Sequence, residues 1–292
     1  MSDLVVVYGL VVAFGFGTSD FLSKGLLEEI GLYRTTIYVL GISGAFVLLP
    51  SFLLGFPGPL SLYDFGILAL IASSSFMGFL LMYRGYSKGN LSVVSPTVNS
   101  FPVYSVVLSI VALKVAIWGP VLLALIGVIA GILLVSTKIS MLSNGAGGRL
   151  TPGVPDALVA ALFFAVAFTL IGYADETIGY ALPIVSARLG GCLVGLAVGL
   201  PLGQTVSRIG GEAMRRVLAM SILEASALMC FNLALVSSSI AGLPIVTTLA
   251  GMGVVFTVGF AKLIRKEPIE LNRGVGIAVL VASVAALLYL TS

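Results

Sequence analysis

Apolar stretches recur along almost the whole chain, and each is close to the length of a membrane-spanning helix. A helix needs about 20 apolar residues to cross the ~30 Å hydrocarbon core of a bilayer. Ten such stretches are recognisable, and they cover residues 4–23, 33–54, 64–84, 91–112, 117–137, 155–174, 181–203, 217–236, 240–262 and 272–290. The pattern predicts an all-α membrane protein of ten transmembrane helices.

The low charge content argues against a water-soluble fold. Charged residues make up 9% of the 292 residues and hydrophobic residues 59%, whereas a soluble domain has about 25% charged residues. So few charges cannot cover the surface of a soluble protein of this length. We therefore expect a multi-pass protein of the plasma or inner membrane, surrounded by the lipid bilayer.

Several function classes are excluded by missing residue types. There is no histidine, so His-based triads and His metal sites cannot form. No Gly-Lys dipeptide occurs, so the chain lacks the phosphate-binding loop of ATPases. Cys192 and Cys230 lie within apolar stretches, where they are expected to be small buried hydrophobic residues. The net charge of only +3 argues against a nucleic-acid partner. We expect no cofactor and no metal.

A polar segment divides the chain near its middle. Residues 138–154 are rich in Ser, Asn and Gly, which is typical of a flexible linker. Five apolar stretches precede it within residues 1–137, and five follow it within residues 155–292. The sequence thus predicts two five-helix domains joined by a linker.

The two halves also share local features at a constant shift. Residues 86–96 overlay residues 234–244, and each copy has a short polar turn followed by a helix with proline in its second turn. Gly127 and Gly276 follow at matching distances. Because each copy has an odd number of helices, the second inserts upside down. Inverted repeats are typical of alternating-access transporters.

Two motifs resemble a known family. The segment YRGYSKGNLSVVSP (83–96), followed by Phe101-Pro102-Val103, resembles the junction between the third and fourth helices of EamA-type proteins. These belong to the drug/metabolite transporter superfamily. Lys266-Glu267-Pro268, with Gly276 nine residues after the Glu, resembles that family's closing motif. The resemblance implies a ten-helix permease of two EamA-like domains that moves metabolites such as amino acids, usually outward.

The leading hypothesis is a permease for a small polar metabolite, such as an amino acid, that acts as an exporter by alternating access without ATP hydrolysis. The first alternative is a membrane-embedded enzyme, but its usual clues, a carboxylate cluster or a His/Cys set, are missing. The second alternative is a non-transporting scaffold or receptor, which would not need an inverted repeat. A proton is the candidate coupling ion.

The basic residues predict the orientation of the chain. The loops after odd-numbered stretches, together with the stretch ends that border them, carry thirteen of the fifteen Lys and Arg residues, whereas those after even-numbered stretches carry only Lys114. Because short basic loops favour the cytoplasm, the sequence predicts that both termini lie outside. Members of the family usually keep both termini inside.

Arg188 and Glu224 are ionisable residues in the interior of predicted helices. A charge at mid-bilayer costs at least ~2.5–3.5 kcal/mol, so it normally faces the bundle interior. Each lies near 10 Å from the start of its own stretch, at ~1.5 Å per residue. Because the two helices are antiparallel, we expect the two groups to differ by roughly 10 Å in depth, so a direct ion pair would need a long Arg reach or an intervening polar group.

Three roles stay open for these two residues. The first is a structural salt bridge, the second is substrate binding or proton coupling, and the third is snorkelling towards the lipid headgroups. In the second case we expect both to face a central cavity between the halves, with Glu224 as the titrating carboxylate because desolvation disfavours its charged form.

Uncharged polar residues near the helix-breaking prolines are further candidates for binding a polar solute. Proline frees backbone carbonyls that can line a cavity. Asn99 follows Pro96, and the remaining candidates are Thr247, Thr248, Asn232 and Tyr83. Interhelical hydrogen bonding of about 1 kcal/mol or less each is the alternative.

Two local patterns complete the prediction. Asp20 and Lys24 lie four residues apart at the predicted end of the first helix. They are expected to form an interfacial pair, with a gating role as the alternative. Glycine recurs at every fourth residue from Gly191 to Gly203, which favours close helix packing within the bundle rather than between subunits.

Overall fold

The computed structural model describes residues 3–54, 59–117, 119–136, 152–266 and individual positions between 274 and 290. Throughout these ranges the chain consists of helices and short connections. Eight helical spans are long and apolar enough to cross a membrane, namely Leu4–Ile30, Leu32–Ser51, Leu62–Lys88, Leu91–Val111, Val154–Thr177, Ala181–Leu202, Gly211–Ser238 and Ile240–Ile264. They correspond to predicted stretches one to four and six to nine, and each span keeps the number of its stretch. A shorter apolar helix, Gly119–Gly131, lies in the fifth stretch, and most of the tenth stretch and the 138–154 linker lie outside the described residues.

Within the described ranges, twelve α-helices have defined bounds. They are α1 (Asp3–Ile30), α2 (Leu32–Leu54), α3 (Leu62–Lys88), α4 (Leu91–Val98), α5 (Phe101–Val111), α6 (Gly119–Ser136), α7 (Val154–Thr177), α8 (Ala181–Val185), α9 (Gly191–Gly199), α10 (Gly211–Ser238), α11 (Leu243–Gly251) and α12 (Gly253–Arg265). A π-helical turn (Ser186–Gly190) joins α8 to α9.

Two helices extend well beyond their predicted ends. Helix α1 continues to Ile30 rather than ending near residue 23, and α10 begins at Gly211 rather than near residue 217. The added turns carry charged residues such as Glu29 and Arg216. Such turns reach the polar interface, where an apolar sequence is not required for a helix to continue. Hydropathy alone therefore placed the end of α1 too early and the start of α10 too late.

The main helix pairs connect the two halves of the chain. Helix α1 packs along α10, and α3 packs along α7. Helix α1 also packs on α11 and α12, while α7 packs on α4 and α5. Exchanging the first span with the sixth, the third with the eighth and the fourth with the ninth converts each of these contacts into another of the set.

Small residues allow these close approaches. A Cβ at Gly15 would lie 2.9 Å from the Ala227 Cβ, and one at Gly78 would lie 2.8 Å from the Phe164 ring. The glycine stripe of α9 behaves in the same way, because a Cβ at Gly195 would lie 2.6 Å from Ile37. The stripe packs inside the bundle from Gly191 to Gly199, as predicted, whereas Gly203 lies beyond α9 and is exposed.

Three spans are interrupted rather than continuous. The fourth span breaks at residues 99–100 between α4 and α5, and the ninth breaks at Met252 between α11 and α12. The seventh contains the π-helical turn. Irregular backbone at membrane depth is tolerated where it is buried in protein or lines a cavity. These interruptions mark the part of the bundle in which the polar side chains gather.

Polar contacts join the basic loops on one face of the bundle. Lys24 Nζ donates to the Gly89 carbonyl oxygen at 2.8 Å, and Lys88 Nζ lies 2.7 Å from an Asp156 carboxylate oxygen. Arg216 contacts Glu29 across the α1–α10 pair at 3.3 Å. We call this end of the bundle the basic face. At the opposite face Glu176 accepts a hydrogen bond from the Ile240 N–H at 2.8 Å.

Candidate functional site

Arg188 and Glu224 form a direct ion pair in the middle of the bundle. Arg188 Nη2 lies 2.8 Å from Glu224 Oε2, and each side chain is only 3% exposed. The predicted difference in membrane depth between Arg188 and Glu224 is wrong, because α10 begins earlier than predicted. Glu224 lies 13 residues after Gly211, which is about 20 Å along the helix and level with Arg188.

The guanidinium of Arg188 has further contacts and free donors. It lies 4.7 Å from the centroid of the Phe79 ring, a distance at which the ring attracts a cation. Its Nε and Nη1 atoms are buried and make no hydrogen bond within the described chain. A buried donor without a partner costs about 1–3 kcal/mol. The guanidinium therefore has two free donors that can bind a further acceptor.

The backbone around Arg188 is unusual. The residue lies in the π-helical turn that joins α8 to α9, and Ser186 in the same turn donates to the Leu68 carbonyl oxygen of α3 at 2.7 Å. Single π-turns inside α-helices are rare and occur frequently at functional sites. The wider turn and its tie to α3 fix the position of the charged side chain.

A second buried carboxylate is that of Asp20 on α1. Its Oδ2 accepts a hydrogen bond from Asn99 Nδ2 at 3.3 Å and one from Ser95 Oγ at 3.4 Å. Asn99 caps the interrupted end of α4 and also donates to the Ser95 carbonyl oxygen at 2.9 Å. Within the described chain no basic side chain lies within salt-bridge distance of Asp20.

These side chains line a central cavity between the two halves. It has a volume of about 50 Å³, and its polar lining consists of Asp20, Ser75, Asn99, Arg188 and Glu224. The remaining wall is apolar, with five aromatic rings contributed by Phe16, Phe79, Phe101, Phe164 and Phe168. One water molecule needs roughly 10–15 Å³ measured in this way. The cavity therefore has room for a few water molecules in this conformation.

The charge of the cavity is unbalanced when its acidic groups are ionised. Two carboxylates, Asp20 and Glu224, face one guanidinium, that of Arg188. Glu224 is neutralised by its direct contact with Arg188, whereas Asp20 receives only uncharged donors. The site can therefore hold one additional positive charge or one proton.

The other predicted binding residues lie outside this cavity. Tyr83 is fully buried beside Phe79, with 5.7 Å between ring centroids, and its hydroxyl has no hydrogen-bond partner within the described chain. Thr247 and Thr248 donate to the carbonyl oxygens of Leu243 and Pro244 in their own helix, at 2.8 and 2.6 Å. Neither threonine lines the cavity.

Asn232 belongs to a separate buried cluster nearer the opposite face. Its Nδ2 lies 3.1 Å from each oxygen of Asp175 and 3.2 Å from the Tyr180 carbonyl oxygen. Sequence reasoning missed Asp175 because the residue follows the predicted end of the sixth stretch at 174. Helix α7 continues to Thr177 and carries the carboxylate into the bundle. The adjacent acidic pair Asp175-Glu176 was the available signal.

Asp20 and Lys24 do not pair with each other, contrary to the prediction. Asp20 bonds to α4, while Lys24 donates to the Gly89 carbonyl oxygen. Since α1 continues to Ile30, Asp20 lies ten residues inside the helix rather than at its end. It is therefore a residue of the cavity, and Lys24 is part of the basic face.

Comparisons with known proteins agree with this architecture. Residues 3–137 match the model of the EamA-like transporter family. A protein of Methanocaldococcus jannaschii, described as uncharacterized, is 28% identical over 138 residues, which are 46% of this chain and 97% of that protein. A crystal structure of a protein matches 98% of this chain and 96% of its own chain, with a TM-score of 0.72 at 12% identity. This last likeness concerns the fold.

Proposed function

We propose that the chain is an EamA-like transporter, since its residues 3–137 match the model of that family, and that it moves a small polar metabolite, such as an amino acid, across the membrane by alternating access. The observation that carries the proposal is the cavity between the halves, which holds Arg188, Glu224 and Asp20. The chain exports its substrate without hydrolysing ATP. The outward direction rests on the family resemblance.

The free-energy cost of burying these charged groups favours a functional role for them. Replacing a buried ion pair with apolar residues of similar volume is often neutral or stabilising, so such a pair is weak support for stability alone. Here a third charged group, Asp20, adds to the cost without a cationic partner. Ionisable residues that face a cavity inside a membrane protein usually belong to a substrate or ion pathway.

The geometry supports a specific exchange of partners. Arg188 retains its charge, so it always requires an anionic partner in the bundle. A substrate carboxylate that binds the free Nε and Nη1 donors competes with Glu224 for the guanidinium. The released Glu224 carboxylate then takes up a proton, which couples transport to the proton gradient. Asp20, held by Asn99 and Ser95, binds an ammonium group or a second proton.

A cavity of about 50 Å³ has to open before a metabolite can enter. We propose that the two halves are inverted repeats that rock against each other, which exposes the cavity to each side in turn. The exchange pattern of the helix contacts supports this relation. So does the Methanocaldococcus jannaschii relative, which matches about half of this chain over nearly its whole length.

The proposed binding set consists of Arg188, Glu224, Asp20 and Asn99, with Tyr83 behind Phe79 as a supporting residue. Thr247, Thr248 and Asn232 contribute to helix packing and do not contact the substrate in this proposal. The basic face is cytoplasmic, because short loops rich in Lys and Arg remain on that side. Lys24 then closes the cytoplasmic end through its contact with Gly89.

Transport by purified protein in liposomes tests the proposal. The panel consists of amino acids, sugars and nucleotides, each measured with and without a proton gradient. Arg188→Gln should abolish transport of the substrate, and Glu224→Gln should leave exchange but remove its dependence on pH. Arg216→Gln, which removes an exposed ion pair, is the matched control and should transport normally. Normal transport and pH dependence in both cavity variants would refute the assignment of the site.

A further inference from the structure

A second, much larger cavity lies at the basic face, away from the central site. It has a volume of about 580 Å³ and lies between the α1–α2 turn, α3 and the end of the seventh span. Its walls include Phe76, Leu80, Val198 and Leu202, and its polar lining includes Arg34 and Gln204. The volume falls within the range of ligand-binding pockets, about 300–1,000 Å³.

The back wall of this cavity is built by close packing of Tyr33 on α9. A Cβ at Gly199 would overlap the Tyr33 ring, so only glycine allows the ring to lie there. The Tyr33 hydroxyl donates to the Gly195 carbonyl oxygen at 3.0 Å, and a Cβ at Gly195 would lie 2.7 Å from the Phe76 ring. The cavity is therefore a defined feature that is separated from the central cavity by packed side chains.

The rim of the cavity is apolar and exposed. Val198 and Leu202 are 48% and 72% exposed. These residues lie at the end of a membrane-spanning segment, where exposed apolar side chains contact lipid rather than water. The groove between α2, α3 and α9 therefore opens towards the hydrocarbon of the bilayer.

Arg34 provides a positive charge at the mouth of this groove. It is the third residue of α2, it is half-buried, and in the described chain no acidic side chain lies within salt-bridge distance of it. The carboxylate of Glu29, five residues before Arg34, is held by Arg216. Arginine binds phosphate oxygens well because its planar guanidinium matches their geometry.

We propose that this groove binds an anionic phospholipid, with its phosphate on Arg34 and one acyl chain along Phe76, Leu80 and Val198. Basic pockets between transmembrane helices at the cytoplasmic side bind anionic lipid headgroups for this reason. A free phosphate ion would use the guanidinium and leave the apolar walls uncovered. A neutral lipid would fill the walls and leave the charge of Arg34 without a partner.

Lipid titration of the purified full-length protein in detergent tests this proposal. Phosphatidylglycerol and phosphatidylcholine with identical acyl chains are added separately, and binding is measured by native mass spectrometry and by the rise in melting temperature. Arg34→Gln should weaken phosphatidylglycerol binding at least tenfold. Val198→Trp fills the groove and keeps Arg34, and it should weaken binding to a similar extent. Arg208→Gln changes an exposed arginine on the same face and should have no effect.

Three outcomes would overturn the proposal. Equal affinity for the two lipids would indicate an apolar groove without headgroup recognition. Unchanged phosphatidylglycerol binding in both Arg34→Gln and Val198→Trp would locate the lipid elsewhere. Competition by inorganic phosphate at the same concentrations as the lipid would indicate a site for a free anion.

Discussion

Removing one partner of the buried ion pair should strongly lower the free energy of unfolding, whereas removing both partners should not. In Glu224→Leu the Arg188 guanidinium loses its carboxylate while it remains 3% exposed. Breaking a buried pair in this way costs about 3–5 kcal/mol. Asp20 lines the same cavity and compensates part of the charge, so we expect about 3 kcal/mol, the lower end of that range.

The double variant Arg188→Met/Glu224→Leu removes both charges at similar volume. Its stability should return to within about 1 kcal/mol of the wild type, since apolar replacement of a buried pair is often neutral. Transport should remain absent, because the binding group for the substrate is gone. The recovery of stability without recovery of transport separates the functional role from a structural one.

The two free cysteines provide the assay. Cys192 and Cys230 are half-buried and react fully with a thiol-specific fluorophore only after unfolding. A loss of about 3 kcal/mol corresponds to a drop in melting temperature of about 6–12 °C. A double variant that transports like the wild type would refute the reasoning, and so would a Glu224→Leu variant with unchanged stability.

Three further predictions concern packing, orientation and the second buried cluster. Gly17→Ala should destabilise the protein by about 1–3 kcal/mol, because its Cβ would overlap the backbone of α12; Gly66→Ala, in open space, should not lower the melting temperature. Thr177→Cys should react with an impermeant thiol reagent outside intact cells and Ser207→Cys only after permeabilisation, and the reverse pattern would contradict the proposed orientation. Asn232→Leu removes the amide that donates to its buried carboxylate partner and should cost about 1–3 kcal/mol of stability, measured in the same melting assay.

The helical spans were predictable from the sequence because the bilayer imposes their length and apolar character. Eight of the ten predicted stretches match a spanning helix in the part of the chain that the structure describes. The helix ends were not predictable, because charged turns extend into the interface without an apolar signal. The early start of α10 at Gly211 and the late end of α1 at Ile30 both follow from this.

The central site was predictable where the residue type was itself unusual or where a helix-breaking proline lay close, as for Asn99. Arg188 and Glu224 were found because a charge within an apolar stretch is costly, whereas Asp20 was misplaced by the error in the end of α1. The sequence could not distinguish Thr247 from a residue that binds the solute, because a threonine hydroxyl in a helix can donate to its own backbone as well as to a solute. The phenylalanines of the wall gave no signal, since aromatic residues are common in apolar helices.

Labelling of a cysteine inside the central cavity tests the alternating-access claim most directly. Ser75 lines the cavity and is buried, so Ser75→Cys is introduced after Cys192 and Cys230 are replaced by alanine. An impermeant thiol reagent is then applied to either side of oriented membrane vesicles. The account predicts that the cysteine reacts from both sides and that substrate slows both reactions. Reaction from one side only, or from neither, would contradict it.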